Sequence, residues 1–183
     1  MSRNLISALT VKLLGENKMK NKHTRSTCIA GVLTALVFVV TAYLHIPVNN
    51  GYIHIGDGLI YIAACILPWP YAMAVGACGA LLADCLTGFA IWAPGSAVIK
   101  AATTLLFTDK GKRMMVRRNW LALIPAAVIC AVGYYLYECL LYGNFIAPLV
   151  SIPASLAQSA ASSVLFVAVG LAVDKMNYKS RLS

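Results

Sequence analysis

The chain has 183 residues, of which 60% are hydrophobic and only 11% are charged. Soluble domains carry about 25% charged residues, so this composition excludes an ordinary soluble domain and favours a membrane protein. The net charge of +9 does not indicate a nucleic-acid partner, because the basic residues flank hydrophobic segments and are interpreted as anchors against a lipid bilayer.

The basic residues divide the chain into three regions. Fourteen of the fifteen Lys and Arg residues lie in three blocks, before Thr27, between Asp109 and Trp120, and after Val173. We interpret residues 1–26 as a cytoplasmic polar leader, either a short surface helix or a disordered tail, and residues 27–175 as the membrane domain. Residues 176–183 form a basic tail. A cleavable signal peptide is not expected, because the first apolar run is too long for one.

The apolar segments predict an all-α integral membrane protein with a bundle of six transmembrane helices. Proline and glycine residues separate the segments. The second segment is short for a crossing, so it could extend back through Tyr52 or could be partly re-entrant. The predicted spans are about 28–46, 56–67, 71–88, from Pro94 to 107, 120–142 and 151–173.

The connections between the spans predict the orientation. Connections 47–55, 89–94 and 143–150 contain no Lys or Arg, whereas the three basic blocks fall on the opposite side. The positive-inside rule then places both termini in the cytoplasm, in a multi-pass protein of the cell membrane.

Two rows of small residues predict close helix packing. The row on span three includes Ala72, Gly76, Ala80 and Asp84 at intervals of four. A second row, on span six, contains Ser151, Ser155, Ser159 and Ser163. Asp84 stands out because a carboxylate within a membrane is costly unless it is paired or hydrated.

The six cysteines form no CxxC pair and have no His-rich neighbours, so no metal site is expected. All six lie within or at the ends of apolar segments. We predict that they are small buried hydrophobic residues and not metal ligands or disulfides.

Polar residues within the spans concentrate in the predicted outer half of the membrane. Asp84 lies one turn from the outer end of span three, and Lys100 lies two turns into span four, about 9 Å deep. Tyr137 and Glu138 lie in the outer third of span five, and Gln158 two turns into span six. Because each intramembrane charge is costly, this asymmetry predicts an outward-opening polar pocket with an apolar floor.

Several residues of the outer connections would form the rim of this pocket. Simpler interpretations stay open: His54 as a solvated loop residue, Trp92 as an interfacial anchor, and Lys100 with Asp84 as a structural ion pair. The predicted rim residues are His54, Asp57 and Trp92, with Asn49, Asn50 and Tyr52 nearby. Asn144, in the linker between spans five and six, is a further candidate for substrate binding.

No enzymatic motif accompanies the pocket. The chain contains no HExxH, no GxSxG and no Walker glycine loop, so neither an enzyme nor a self-powered pump is expected. A binding subunit that takes its energy from a partner fits better. The alternatives are a small proton-coupled carrier or channel with Asp84, Glu138 and Lys100 as a relay, and a structural assembly protein.

The motifs resemble those of a known family. The run from Gly51 to Asp57, the pair Ala83-Asp84, the run from Gly88 to Pro94, and Lys100 are similar to the S component of energy-coupling factor (ECF) vitamin transporters. The likeness covers residues 26–175 and is strongest to the branch assigned riboflavin, hydroxymethylpyrimidine or related heterocycles.

This resemblance implies a role and partners. An S component captures a vitamin or precursor from outside and docks on a membrane coupling protein driven by two cytoplasmic ATPases. ATP is used by those partners, so no cofactor is expected in this chain. Gly31 and Ala35 match the positions of the family's docking motif. The three carboxylates against Lys100 favour a neutral or amine-bearing heterocycle over a polyanion.

Overall fold

The computed structural model describes residues 2–48 and 51–176, with side chains for 21–47 and 52–176. The predicted site residue Asn50 and the tail from 177 to 183 lie outside the described residues. Six α-helices and one short β-hairpin make up most of the described chain. The elements are α1 Ser2–Tyr43, β1 His45–Val48, β2 Gly51–His54, α2 Gly56–Ile66, α3 Trp69–Leu86, α4 Ala93–Thr104, α5 Arg117–Tyr142, a 3-10 helix Ala147–Ser151 and α6 Ile152–Lys175.

Prolines and a glycine set several helix boundaries. Leu67 is extended ahead of Pro68, which ends α2, because the residue before proline avoids the helical conformation. Helices α3, α4 and α6 each carry a proline in the first turn, where no backbone N–H is needed. Helix α5 ends at Gly143, whose φ of 60° is the left-handed conformation that glycine adopts easily.

The predicted helical membrane protein is confirmed in this general form. Four helical segments are long and apolar enough to cross a membrane: Asn21–Tyr43, Trp69–Leu86, Arg117–Tyr142 and Ala147–Lys175. Helices α2 and α4 have 11 and 12 residues, fewer than the roughly 20 that a full crossing needs. Many large apolar side chains face outward, as lipid contact requires.

The β-hairpin corrects the expectation for the second span. Strands β1 and β2 pair antiparallel, with Pro47 opposite Tyr52. The predicted extension of span two back through Tyr52 is therefore wrong, because this residue belongs to a strand. Pro47 is tolerated since the strand is at an edge and needs no further donor.

Close contacts join the helices along the row of small residues on α3. Ala72 and Ala80 are buried, and a Cβ on Gly76 would lie 3.0 Å from the carbonyl oxygen of Lys100 on α4. On another face of α3, a Cβ on Gly79 would lie 2.6 Å from Val37 of α1. Small residues thus let α3 approach both neighbours.

The cysteine prediction is half right. Cys65, Cys130 and Cys139 are buried, and none of the six cysteines, all of which lie among the described residues, forms a disulfide. Cys28, Cys78 and Cys85 are exposed on the outside of the bundle, where an apolar thiol is tolerated as readily by lipid as by a protein core.

An aromatic cluster closes one end of the bundle. Tyr61 of α2 stacks on Phe107 at a ring-centre distance of 4.7 Å, and Phe166 of α6 contacts both rings edge-on. These side chains are almost fully buried. The loop that follows α4 lies at this end, and the β-hairpin lies at the other.

Candidate binding site

A cavity of about 480 Å³ opens between the β-hairpin, helices α3 to α6 and the 3-10 helix. This volume falls within the range of small-molecule sites. Both polar and apolar side chains line it. The predicted site residues that line it are Tyr52, His54, Asp84, Trp92, Lys100, Glu138, Asn144 and Gln158.

Lys100 lies buried at the deep side of this cavity. Its Nζ atom donates to Asp57 Oδ2 at 2.8 Å, and both side chains are almost completely buried. The interpretation of Lys100 and Asp84 as the ion pair is therefore wrong. Asp57 reaches Lys100 because the hairpin fills the outer layer and α2 begins beneath it. For the same reason Asp57 is fully buried and does not lie at the rim.

Gln158 connects this ion pair to the hairpin. Its Nε2 atom donates to Asp57 Oδ2 at 3.0 Å, and its Oε1 atom accepts from the backbone N–H of His54 at 3.3 Å. One amide side chain of α6 therefore links α2 and β2. The Lys100 ammonium also lies 4.9 Å from the ring centre of Tyr134, at cation–π distance.

His54 is held neutral in the hairpin. Burial lowers the pKa of its imidazole to about 4. The Nδ1 atom accepts from the backbone N–H of Gly56 at 3.1 Å, which caps the start of α2 and assigns the remaining proton to Nε2. A Cβ on Gly56 would clash with the hydroxyl of Thr41. The prediction of a rim position is wrong for His54, which is buried.

Tyr52 ties the hairpin to α3. Its hydroxyl donates to Asp84 Oδ1, and its ring packs against Phe89 at 4.8 Å. Burial and the neighbouring carboxylate raise the pKa of Tyr52 above its ordinary value, so the phenol stays a donor. Asp84 therefore pairs with the strand above it, not with Lys100.

The far wall of the cavity is built by α5 and the connector to α6. Glu138 Oε2 accepts from Ser151 Oγ at 2.5 Å. Asn144 Oδ1 accepts from the backbone N–H of Ile146 at 2.7 Å, so this amide orders the connector. Tyr137 does not line the cavity. It contacts Trp92 at a ring-centre distance of 6.1 Å and so supports a residue that does.

Sequence reasoning missed several lining residues, among them Ser96, Tyr134 and Ser155. The Tyr134 hydroxyl donates to Ser96 Oγ at 3.1 Å across the gap between α4 and α5. Helical spacing was the signal that could have found both, because each lies four residues before a predicted site residue. Ser155 was assigned only to helix packing.

The two predicted docking residues lie on the outer surface of α1. Gly31 and Ala35 are both exposed, and a Cβ on Gly31 would meet no atom within 4 Å. Among the described residues, no group of His, Cys, Asp or Glu side chains is suited to hold a metal ion.

Residues 21–175 match the sequence model of the ECF-type riboflavin transporter, S component. The chain belongs to this family. No curated protein matches it. Family membership makes the chain a membrane-embedded, substrate-binding subunit of an ECF transporter for a vitamin, and it confirms that this S component is a transport protein and not an enzyme.

Proposed function

We propose that this S component captures a flat, water-soluble vitamin or heterocyclic precursor from outside in the cavity beneath the β-hairpin. Riboflavin is the first candidate, because the matching family carries that name. The cavity is the observation that carries the proposal: its volume is about 480 Å³, and aromatic rings and polar side chains from several helices and the hairpin line it. Trp92 and Tyr52 would stack on a flat ring.

The charges of the site favour a neutral or amine-bearing ligand. Asp84 and Glu138 line the cavity, whereas the charge of Lys100 is already balanced by Asp57. An anionic group would therefore enter a site with excess negative charge. This preference supports a vitamin over its phosphate ester.

The proposal includes six passages of the chain through the bilayer region, with both termini in the cytoplasm. Tyr61, Phe107 and Phe166 are almost fully buried and pack on one another, which supports a closed binding subunit over a channel. Import would then require a membrane coupling protein and two ATPases, which S components of this family imply.

Ligand identification tests the proposal directly. We expect the protein, purified from cells grown in rich medium, to carry a small heterocycle that mass spectrometry detects. Asp84→Asn should weaken its binding about tenfold by calorimetry, since a charged hydrogen-bonding partner is lost. Lys112→Ala, on the loop at the other end, should leave affinity unchanged. A protein that binds none of a vitamin panel would sink the proposal.

The docking face requires a separate experiment. Gly31→Leu or Ala35→Leu fills an exposed small-residue surface of α1 without touching the cavity. We expect each to abolish vitamin uptake by cells that contain the coupling protein and ATPases, while vitamin affinity stays unchanged. Matched changes at Leu36 or Val39, to Ala, should preserve uptake. Normal uptake in both leucine variants would remove this assignment.

A further inference from the structure

The loop between α4 and α5 is tied down by one buried side chain. Asn119 Oδ1 accepts from the backbone N–H of Thr108 at 2.9 Å. Its Nδ2 atom donates to the carbonyl oxygens of Thr108 at 3.1 Å and Met114 at 2.8 Å. Asn119 itself is fully buried. The two ends of the loop are therefore fastened to the first turn of α5.

A carboxylate of α6 fastens the same loop from the other side. Asp174 Oδ1 accepts from the backbone N–H of Met114 at 2.6 Å, and Oδ2 accepts from that of Met115 at 2.9 Å. The Met115 side chain packs on Gly170, where a Cβ would lie 2.6 Å from its sulfur. Both oxygens of one carboxylate are thus used to hold backbone, which fixes the course of the loop.

We define the clamped loop as residues 105–118, which comprise the irregular stretch 105–116 and the first two residues of α5. It presents its cations in a fixed arrangement. Arg118 is fixed further, because its Nε atom donates to the Leu106 carbonyl at 3.3 Å. Immediately after Asn119, Trp120 and Leu121 are 45% and 58% exposed on the outside of α5, where lipid tails would cover them. The exposed basic residues of the clamped loop are Lys110, Lys112, Arg113, Arg117 and Arg118.

We propose that the clamped loop is a binding site for the headgroups of anionic phospholipids, with Asn119 and Asp174 as its positioning residues. The apolar surface of α5 sets the cations at the level of lipid phosphates, where each basic residue attracts anionic lipid. The site is independent of the vitamin cavity. A loop already held in shape loses little conformational freedom on binding, so geometry adds to the effect of charge.

Removal of the Asp174 charge distinguishes the effect of loop geometry on lipid binding from the effect of net charge. Asp174→Ala makes the protein more positive by one unit, so attraction by charge alone predicts tighter binding of anionic lipid. The clamp predicts the reverse, because the freed loop no longer presents its cations together. Asp174→Asn makes the same charge change but keeps one acceptor oxygen, and its effect should be intermediate.

The experiment uses the full chain in nanodiscs of phosphatidylcholine, alone or in an equimolar mixture with phosphatidylglycerol. Native mass spectrometry counts the retained phosphatidylglycerol, and an intact fold is checked by a monodisperse size-exclusion profile. We expect Arg117→Gln and Arg118→Gln each to weaken retention about fivefold, the effect of one basic residue near a membrane surface. Asp174→Ala should weaken retention despite its added positive charge.

Lys22→Gln/Arg25→Gln on α1 is the matched control, since it removes two exposed cations far from the clamp along the chain. It should reduce retention less than Arg117→Gln/Arg118→Gln.

Equal losses in the two double variants, or tighter retention in both Asp174 variants, would overturn the proposal and leave only general attraction by charge. If Asp174→Ala does not fold, Asp174→Asn alone decides: weaker retention of phosphatidylglycerol supports the clamp, and tighter retention contradicts it. Equal retention of both lipids by the wild type would also overturn it and would favour an acidic protein partner.

Discussion

At the hairpin end of the bundle, helices α3 to α6 stand apart around a cavity, whereas at the loop end Tyr61 of α2, Phe107 and Phe166 of α6 pack into an aromatic cluster. The polar groups differ as well. In the cavity, side chains bind other side chains across elements distant in sequence, as Lys100 binds Asp57. At the loop end, Asn119 and Asp174 bind mainly backbone groups, although Asn119 also donates to Cys65 Sγ at 3.1 Å.

This difference indicates that the cavity can adapt to a ligand, whereas the loop end is rigid. A network of side chains can exchange one partner for a ligand group, because rotamers change without moving the backbone. Side chains that hold backbone fix the course of the chain instead. Substitutions in the cavity should therefore change vitamin affinity, and those at the loop end should change stability and lipid retention but not vitamin affinity. The ion pair beneath the cavity should affect both.

The largest effect is expected at this ion pair. Lys100→Met leaves Asp57 buried without its counter-charge, which should cost about 3–5 kcal/mol in the free energy of unfolding. The double variant Lys100→Met/Asp57→Asn should recover most of this loss, because no uncompensated charge remains. Denaturation of the purified protein in mixed micelles measures both.

Lys112→Met provides the control, since Lys112 is an exposed residue of the clamped loop. It should change stability by no more than about 0.5 kcal/mol. A double variant as unstable as Lys100→Met would show that the ammonium stabilises the fold through something other than Asp57.

The next largest effect is expected at the loop end. Asn119→Ala removes three hydrogen bonds to backbone groups and should cost about 3 kcal/mol, with vitamin affinity unchanged. Asn144→Ala is the matched change at the cavity end, where one local bond is lost, and should cost about 1 kcal/mol or less. A loss of vitamin affinity in Asn119→Ala would break the proposed division between the two ends.

These two ends also differ in how far they could be predicted. Helix position and loop charge were enough to bring Asp84, Lys100, Glu138 and Gln158 to one end, because depth along a helix is a one-dimensional property. The partner of Lys100 was not predictable in this way. It depends on the hairpin, which lowers the start of α2 and brings Asp57 beneath the surface.

The clamp at the loop end had no comparable signal. Asn119 and Asp174 lie among basic residues at the predicted membrane surface, where polar side chains are expected to face water. Their burial follows from the backbone of residues 105–116, whose irregular course leaves N–H and C=O groups that need partners. Sequence patterns of helices do not contain that information.

The smallest expected effect concerns the hairpin, which covers the cavity, and depends on pH. His54 has a pKa of about 4 in the folded protein, below the ordinary value near 6.5. Between these values the unfolded chain binds more protons than the folded one, so stability is highest above pH 6.5 and falls as the pH decreases towards 4. At pH 5 the loss attributable to His54 should be about 2 kcal/mol.

His54→Asn isolates this contribution from that of the carboxylates. The asparagine oxygen can replace Nδ1 as the acceptor for the Gly56 N–H but does not titrate in this range. The difference in unfolding free energy between the wild type and this variant should shift by about 2 kcal/mol from pH 7.5 to pH 5. Parallel pH profiles would mean that the imidazole is hydrated in the folded protein. The hairpin would then cover the cavity less tightly than its buried contacts imply. The cavity end would differ from the loop end in the mobility of its backbone as well as of its side chains.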